Sequence, residues 1–297
     1  MRMGMGSDKQ KFAGSLNSAM IDDAQAEAAQ QAADHFGQPG FDDINRAFIS
    51  QRYEGYSAEN QEVWQTLFDR QMEYLSECAS ETYLSGARAI RLVRDHLPYL
   101  EGPKSINNYL RQLTGWQSRA VPGYLPPRSF FACLAQRDFP TTIVIRPRES
   151  IDYLPEPDIF HDVFGHVPLH ADPVFGDFLA TYGQAALTTS DPAHTERLAR
   201  LFWFTVEFGL IREGGKVRLY GSGLISSPGE SRHALTSSEV DRRPFELERV
   251  CDTAFEIDHF QPILYVLDSF DQLREAMETY ANRLLNDAPK SAAGSRG

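Results

Sequence analysis

Through the middle of the chain, apolar residues recur every three to four positions over long stretches, so helices dominate the expectation. After Ser57, a residue suited to capping a helix N-terminus, Trp64, Leu67, Phe68, Met72 and Leu75 fall on one helical face. Tyr83, Leu84, Ala87, Ile90 and Leu97 continue the period in a second helix, which the pattern extends to Pro98. Ser105 opens a third, with Ile106, Tyr109, Leu110 and Leu113, ending near Gly115. Asp191-Pro192 sets proline at the first helical position behind a capping carboxylate; the helix predicted there runs to about Ile211, before Gly214-Gly215. Strand signals are few and short, at 141–145, 216–220 and 263–267. The predicted fold class is mostly α (α+β), a single helical domain with a small β-sheet.

The ends read differently. Residues 1–45 begin Gly- and Met-rich and continue as an Ala/Gln/Asp/Glu segment with little to bury, which predicts a poorly ordered N-terminal extension. Residues 46–285 show no internal repeat and no long linker, as expected of one domain, and residues 286–297 read as a disordered tail.

Charge narrows the partners. With 29 Lys and Arg against 41 Asp and Glu, the net charge of −12 repels phosphate backbones and anionic lipid, and no local basic patch offsets it. Neither nucleic acid nor a membrane surface is an expected partner. The longest apolar stretch, residues 201–211, is interrupted by Glu207 and is too short for a membrane span. The start of the chain has no apolar core of a signal peptide, and Cys78, Cys133 and Cys251 form neither a disulfide framework nor a CxxC pair. A cytoplasmic protein is expected. No glycine-rich nucleotide loop of the GxGxxG or GxxxxGK[ST] type is present.

The densest chemistry lies in PEPDIFHDVFGHVP, residues 155–168. His161 and His166 are five apart, which on an α-helix separates them by about 140°. Gly165 and Pro168 would let such a helix end and the second imidazole swing round to make half of a metal site. Two satisfied helix-end histidines are the plain alternative. Glu207 weighs against it: in LFWFTVEFGLI a single carboxylate sits in a stretch apolar on every face, where a buried charge needs a cation or several donors. Arg146, Arg197 and Arg200 are available as ordinary partners. Otherwise two His and one carboxylate can share an ion with open positions opposite, as in non-haem Fe(II) enzymes that activate O2, although zinc hydrolases use similar ligands. The HExxH motif of the latter is absent, and His35, His96, His170, His194, His233 and His259 read as bystanders. Trp203 projects from the same helical face as Glu207 and reads as core or as the wall of an aromatic pocket. Arg146, at a strand end, could clamp a carboxylate with two parallel hydrogen bonds. The Gly- and Ser-rich run YGSGLISS, residues 220–227, reads by composition as a flexible structural loop, and otherwise as a place where backbone approaches a ligand.

PEPDIFHDVFGHVPL, FWFTVEFGL and YGSGLISS, in that order, resemble the pterin-dependent aromatic amino acid hydroxylases, especially the short bacterial phenylalanine 4-hydroxylases. The similarity covers residues 53–273 or so. It implies a catalytic domain that uses Fe(II), O2 and tetrahydrobiopterin or a related reduced pterin to convert L-phenylalanine to L-tyrosine. By motif position, His161, His166 and Glu207 would be the iron ligands. Arg146 would bind the substrate carboxylate, Trp203 would line the aromatic pocket, and Ser226 would sit beside His161 and the substrate. Leu125, Phe130 and Asp162 would form the pterin side. Trp203 resembles the phenylalanine and tyrosine enzymes and Ile257 stands where the tyrosine enzymes carry Asp, which together leave phenylalanine; a tryptophan hydroxylase of the same mechanism is the near alternative and a zinc-dependent hydrolase the distant one. The resemblance also implies a pterin-recycling enzyme in the pathway. Compared with the animal enzymes, the segments flanking the match are too short for a regulatory domain and a tetramerisation helix, so a monomer is expected.

Overall fold

The computed structural model describes residues 20–152, 156–257 and 259–287. The disorder expected of residues 1–19 and 288–297 falls outside them. Six short strands lie among the described residues and make two sheets rather than one. β1 (Gln117–Val121) pairs parallel with β2 (Asp138–Thr142), Gln117 opposite Asp138. β3 (Leu210–Glu213), β4 (Lys216–Leu219), β5 (Asp241–Pro244) and β6 (Ile263–Leu267) form a mixed sheet in the order β4-β3-β6-β5. Helices make up most of the rest. Pro127–Ala135 packs on Pro173–Leu187, which in turn packs on Phe270–Asp287. Trp64, Trp116, Tyr83, Tyr182, Phe160 and Phe164 are wholly buried between the layers.

The first helix forms as Ala58–Cys78 behind a complete capping box, Ser57 and Asn60 each bonding the other's backbone N–H. The second is shorter than its apolar period suggests: Glu81–Ala89 stops where Arg91 turns left-handed at φ 53°, and Leu97 reaches the core from irregular chain. Gly86 explains part of the compactness, because a Cβ there would come within 1.9 Å of the Pro168 carbonyl oxygen. The strand expected at 141–145 pairs instead at Asp138–Thr142, shifted towards the N-terminus across Pro140. That proline lacks an N–H but still fits in a two-stranded sheet.

Part of the supposedly poorly ordered extension carries structure. Asp23–His35 is a helix whose N-cap Asp22 accepts from Ala24 and Gln25 N–H. Ala29, Ala32 and Ala33 are buried, and Ser129 Oγ donates to the Ala33 carbonyl at 2.7 Å. Alanine contributes little to a hydrophobic pattern but allows close approach, here against Ala132 and Cys133 of the 127–135 helix.

Candidate active site

Two π-helical segments build the site. Phe160–His166 does not end at Gly165 to let an imidazole swing; it stays helical with i→i+5 hydrogen bonding, which sets residues five apart on one face. His161 and His166 thereby point the same way without a break. Phe160 and Phe164 stack at 4.5 Å on the opposite side, and Tyr83 Oη donates to the Phe164 carbonyl at 2.9 Å. The second segment begins where the expected long helix changes character. Pro192–Phe202 is α-helical, Trp203–Glu207 is π-helical, and the chain then turns into β3, so the run to Ile211 is not one helix. Thr205 sits at the junction with its hydroxyl on the Leu201 carbonyl, a bond that competes with the regular ladder, and Phe208 N–H reaches back five residues to Trp203.

The two segments bring three side chains together. His161 Nε2 and His166 Nε2 are 3.2 Å apart, Glu207 Oε1 lies 3.3 Å from His166 Nε2, and Glu207 Oε2 lies 3.7 Å from His161 Nε2. Ligand atoms each about 2 Å from one ion stand roughly 3 Å apart when adjacent, so this spacing suits a shared metal. None of the three arginines considered as partners reaches Glu207: Arg146 pairs with Asp158, Arg197 with Glu248 and Asp252, and Arg200 with Glu196. The reading in which Glu207 is an ordinary buried ion pair is overturned. Burial disfavours its charge, yet the two imidazoles, His166 foremost, hold the carboxyl well below its usual range. Asp162 also comes near, with one ligand atom each of His161, Asp162 and His166 within 4.8 Å of one another. Its Oδ2 is already engaged by Thr142 N–H at 2.6 Å and burial pushes its carboxyl up to about 7, so Glu207 is the better anionic ligand.

The 220–227 run is not a flexible loop. Ser222–Ser226 is a short buried helix pressed on both π-segments. Gly221 permits this, since a Cβ there would lie 2.5 Å from the Glu207 carbonyl oxygen. Ser222 Oγ donates to Glu207 Oε2 at 2.8 Å. Ser226 Oγ donates to the Ser222 carbonyl at 2.8 Å, so at 2.9 Å it accepts from His161 Nδ1. That bond keeps the proton on Nδ1 and leaves Nε2 with a lone pair facing Glu207 and His166. Burial also pulls the His161 imidazole down to about 4, so it is neutral and ready to ligate near neutral pH. Ser226→Ala is expected to lower metal affinity about 10- to 100-fold with the fold intact, read by titration against a competing chelator.

Arg146 is not free to clamp a ligand with its side edge. Its Nε and Nη2 donate to Asp158 at 2.8 and 2.9 Å, and Asp158 Oδ1 also accepts from His161 N–H at 3.0 Å. Desolvation opposes this buried pair, but mutual attraction keeps Asp158 ionised below the usual carboxylate range and Arg146 above its own. The outer Nη1–Nη2 edge remains for a ligand, although Nη1 also donates to the Ile151 carbonyl at 3.5 Å.

Leu125, Phe130, Arg146, Asp162, Trp203 and Ser226 line one cavity of about 380 Å³ together with His161, His166 and Glu207. Trp203 is both core and wall: it stacks on Phe255 at 4.4 Å and donates from Nε1 to Gln261 Oε1 at 3.0 Å. Phe130 meets Phe202 edge-on at 5.7 Å. Ile257 lines the mouth and is otherwise exposed. His170 is a bystander, stacked on Trp116 at 4.8 Å. Sequence reasoning missed Asp158, Ser222 and Gln261. Asp158 had a signal, a carboxylate three residues before His161 in the spacing of an N-terminal cap; Ser222 was marked only by its place in the 220–227 run, and Gln261 by nothing.

The sequence profile of the biopterin-dependent aromatic amino acid hydroxylases matches residues 50–288. A phenylalanine-4-hydroxylase of Mesorhizobium japonicum is 43% identical over 232 residues, 78% of this chain and 82% of the relative. Among solved structures, Chromobacterium violaceum phenylalanine hydroxylase with bound Fe(III) superposes with a TM-score of 0.77 at 38% identity, covering 88% of this chain and 93% of that one. The same enzyme with iron(III) and the oxidised cofactor 7,8-dihydrobiopterin gives a TM-score of 0.76 at 38% identity, covering 88% and 92%.

Proposed function

Because this chain belongs to the biopterin-dependent aromatic amino acid hydroxylases, we propose that residues 46–285 form its catalytic domain and that His161, His166 and Glu207 hold its iron. The reaction is the hydroxylation of L-phenylalanine to L-tyrosine with O2, Fe(II) and a reduced pterin. The tryptophan and zinc-hydrolase readings are not favoured. The observation that carries the residue assignment is the convergence of Glu207 on two imidazole Nε2 atoms, with Arg146, Arg197 and Arg200 all paired elsewhere. Two imidazoles and one carboxylate that would hold an ion from one side are the donor set suited to Fe(II) oxygenases.

Bound at this site, Fe(II) and the reduced pterin supply the activation of O2 and the two electrons it needs. The chain's own part is positioning and exclusion of water. Ser226 fixes the His161 tautomer, and Ser222 orients the Glu207 carboxylate. Arg146, made rigid by Asp158, offers its outer edge to the carboxylate of phenylalanine, and Ser226 stands beside it. Trp203, anchored by Gln261 and Phe255, presents a flat apolar wall to the substrate ring. An unsubstituted ring fits such a wall, whereas a phenol hydroxyl would lack a partner. Leu125, Phe130 and Asp162 line the same cavity and would hold the pterin, the two apolar groups by packing and the carboxyl by hydrogen bonding.

Among the described residues no helix is long and apolar enough to cross a membrane. The three cysteines are unpaired, and burial pushes the Cys78 and Cys251 thiols up to about 11 and about 12, chemistry that suits a reducing cytoplasm. We place the enzyme there as a monomer served by a separate pterin-recycling enzyme; light scattering at micromolar concentration tests the monomer.

The decisive experiment is tyrosine formation from phenylalanine by Fe(II)-loaded protein with a tetrahydropterin in air, beside a Zn(II)-loaded control. Product with Fe(II) alone is the expected result. No product from protein shown to hold Fe(II) would overturn the assignment of the reaction.

A further inference from the structure

The substrate is a zwitterion, and the site as described accounts for its ring and its carboxylate but not for its α-ammonium. An ammonium taken from water into a partly enclosed cavity needs an anion or several acceptors. Most carboxylates lining the cavity are committed elsewhere. Asp158 is held by Arg146 and by His161 N–H, and Asp152 is exposed and paired with Arg70 at 2.8 Å. Asp162 is engaged by Thr142, and Glu207 faces the imidazoles.

Glu230 is different. It lines the cavity from the Pro228–Thr236 helix, in the first turn after Ser226 and Ser227. Ser227-Pro228-Gly229-Glu230 is a capping-box sequence, in which a Ser and the Glu three residues later normally bond each other's backbone N–H. Only half of it forms: Ser227 Oγ accepts from Glu230 N–H at 3.4 Å, while the Glu230 carboxylate makes no return bond. Nor does it meet a cation or a hydrogen-bond donor among the described residues. Burial without compensation pushes this carboxyl up to about 7.

We infer that Glu230 receives the α-ammonium of the amino acid substrate, on the wall that also carries Ser226, while Arg146 takes the carboxylate. Glu230 then distinguishes an amino acid from an aryl acid of the same shape. The inference rests on the reading of the cavity as a phenylalanine site. A charge-assisted contact of this kind is worth at least about ten-fold in affinity.

The test is a cycle between the residue and the ammonium. Binding of L-phenylalanine and of 3-phenylpropanoate, which lacks the ammonium, is measured by anaerobic calorimetry on Fe(II)-loaded wild type, Glu230→Gln, Glu230→Asp and Glu156→Gln. Glu156 is included because it also lines the cavity and pairs with no cation among the described residues. Glu230→Gln is expected to weaken phenylalanine at least about ten-fold and to leave 3-phenylpropanoate unchanged or tighter, with Glu230→Asp between. Equal weakening of both ligands, no weakening of either, or a selective loss in Glu156→Gln instead would overturn the assignment. Turnover of the wild type is scored separately. A wild type that makes no tyrosine, beside a Glu230→Gln that still loses selectivity for the ammonium, would sink the reaction and leave Glu230 in place.

Discussion

Glu207→Gln is expected to abolish tyrosine formation and to weaken iron binding on the order of 100-fold or more, in a protein that still folds. The amide keeps the size of the carboxylate but removes the negative charge, the only anionic contribution to the triad. It also points an NH2 group, a donor, at atoms that must present lone pairs. Ser222 Oγ still finds the amide oxygen, so the π-segment keeps its contact with the Ser222–Ser226 helix. The unfolding free energy of the iron-free protein should change by less than ~2 kcal/mol. Iron content after desalting, read beside an unfolding curve, checks both halves. Unchanged iron and turnover would remove Glu207 from the metal site.

Arg146→Ala should produce the next largest effect, and it should act twice. It strips the cavity of its substrate-facing cation, which raises the KM for phenylalanine far more than that for the pterin. It also leaves Asp158, about 2% exposed, as a buried charge without its partner. Breaking a buried pair from one side costs about 3–5 kcal/mol. The two effects separate in the double variant Arg146→Ala/Asp158→Ala, which removes the orphaned charge and should recover a large part of the stability but none of the affinity for phenylalanine. Equal changes in the KM for phenylalanine and for pterin would contradict the substrate role. Undiminished stability of the single variant would contradict the buried pair.

What the sequence made legible was chemistry rather than geometry. His161, His166 and Glu207 stood out because polar groups of those types in apolar surroundings need a reason, and the structure brings them within 3.2–3.7 Å. The capping at Ser57 and Asp191 and the faces of the helices that follow were readable because each is local. Four things were not. Helical periodicity could not distinguish α from π, since the difference is one residue in hydrogen-bond register and no side chain announces it. β3 was hidden because Leu210 and Ile211 continue the apolar composition of the helix before them, and β5 (Asp241–Pro244) because an edge strand reading Asp-Arg-Arg-Pro has no apolar face. The role of Asp158 became visible only when its carboxylate was seen to join Arg146 to the backbone of His161, twelve and three residues away. The packing of the alanine-rich helix at Asp23–His35 escaped because small residues stabilise by closeness, which a hydrophobicity pattern does not record.

The two π-segments make the spacing of the ligands a matter of counting. Each holds a residue more per turn than a regular helix would, and that surplus turns His166 back over His161. Loss of one residue anywhere from 162 to 165 would let the chain relax into the commoner helix and bring the second imidazole four positions from the first instead of five. The flanking contacts of Phe160 with Trp64 and of Val167 with the core would then be out of phase by about 100°. Such a segment is expected to tolerate exchange of side chains that face away from the proposed ligands but not a change of length, which makes its length a stricter requirement than most of its letters.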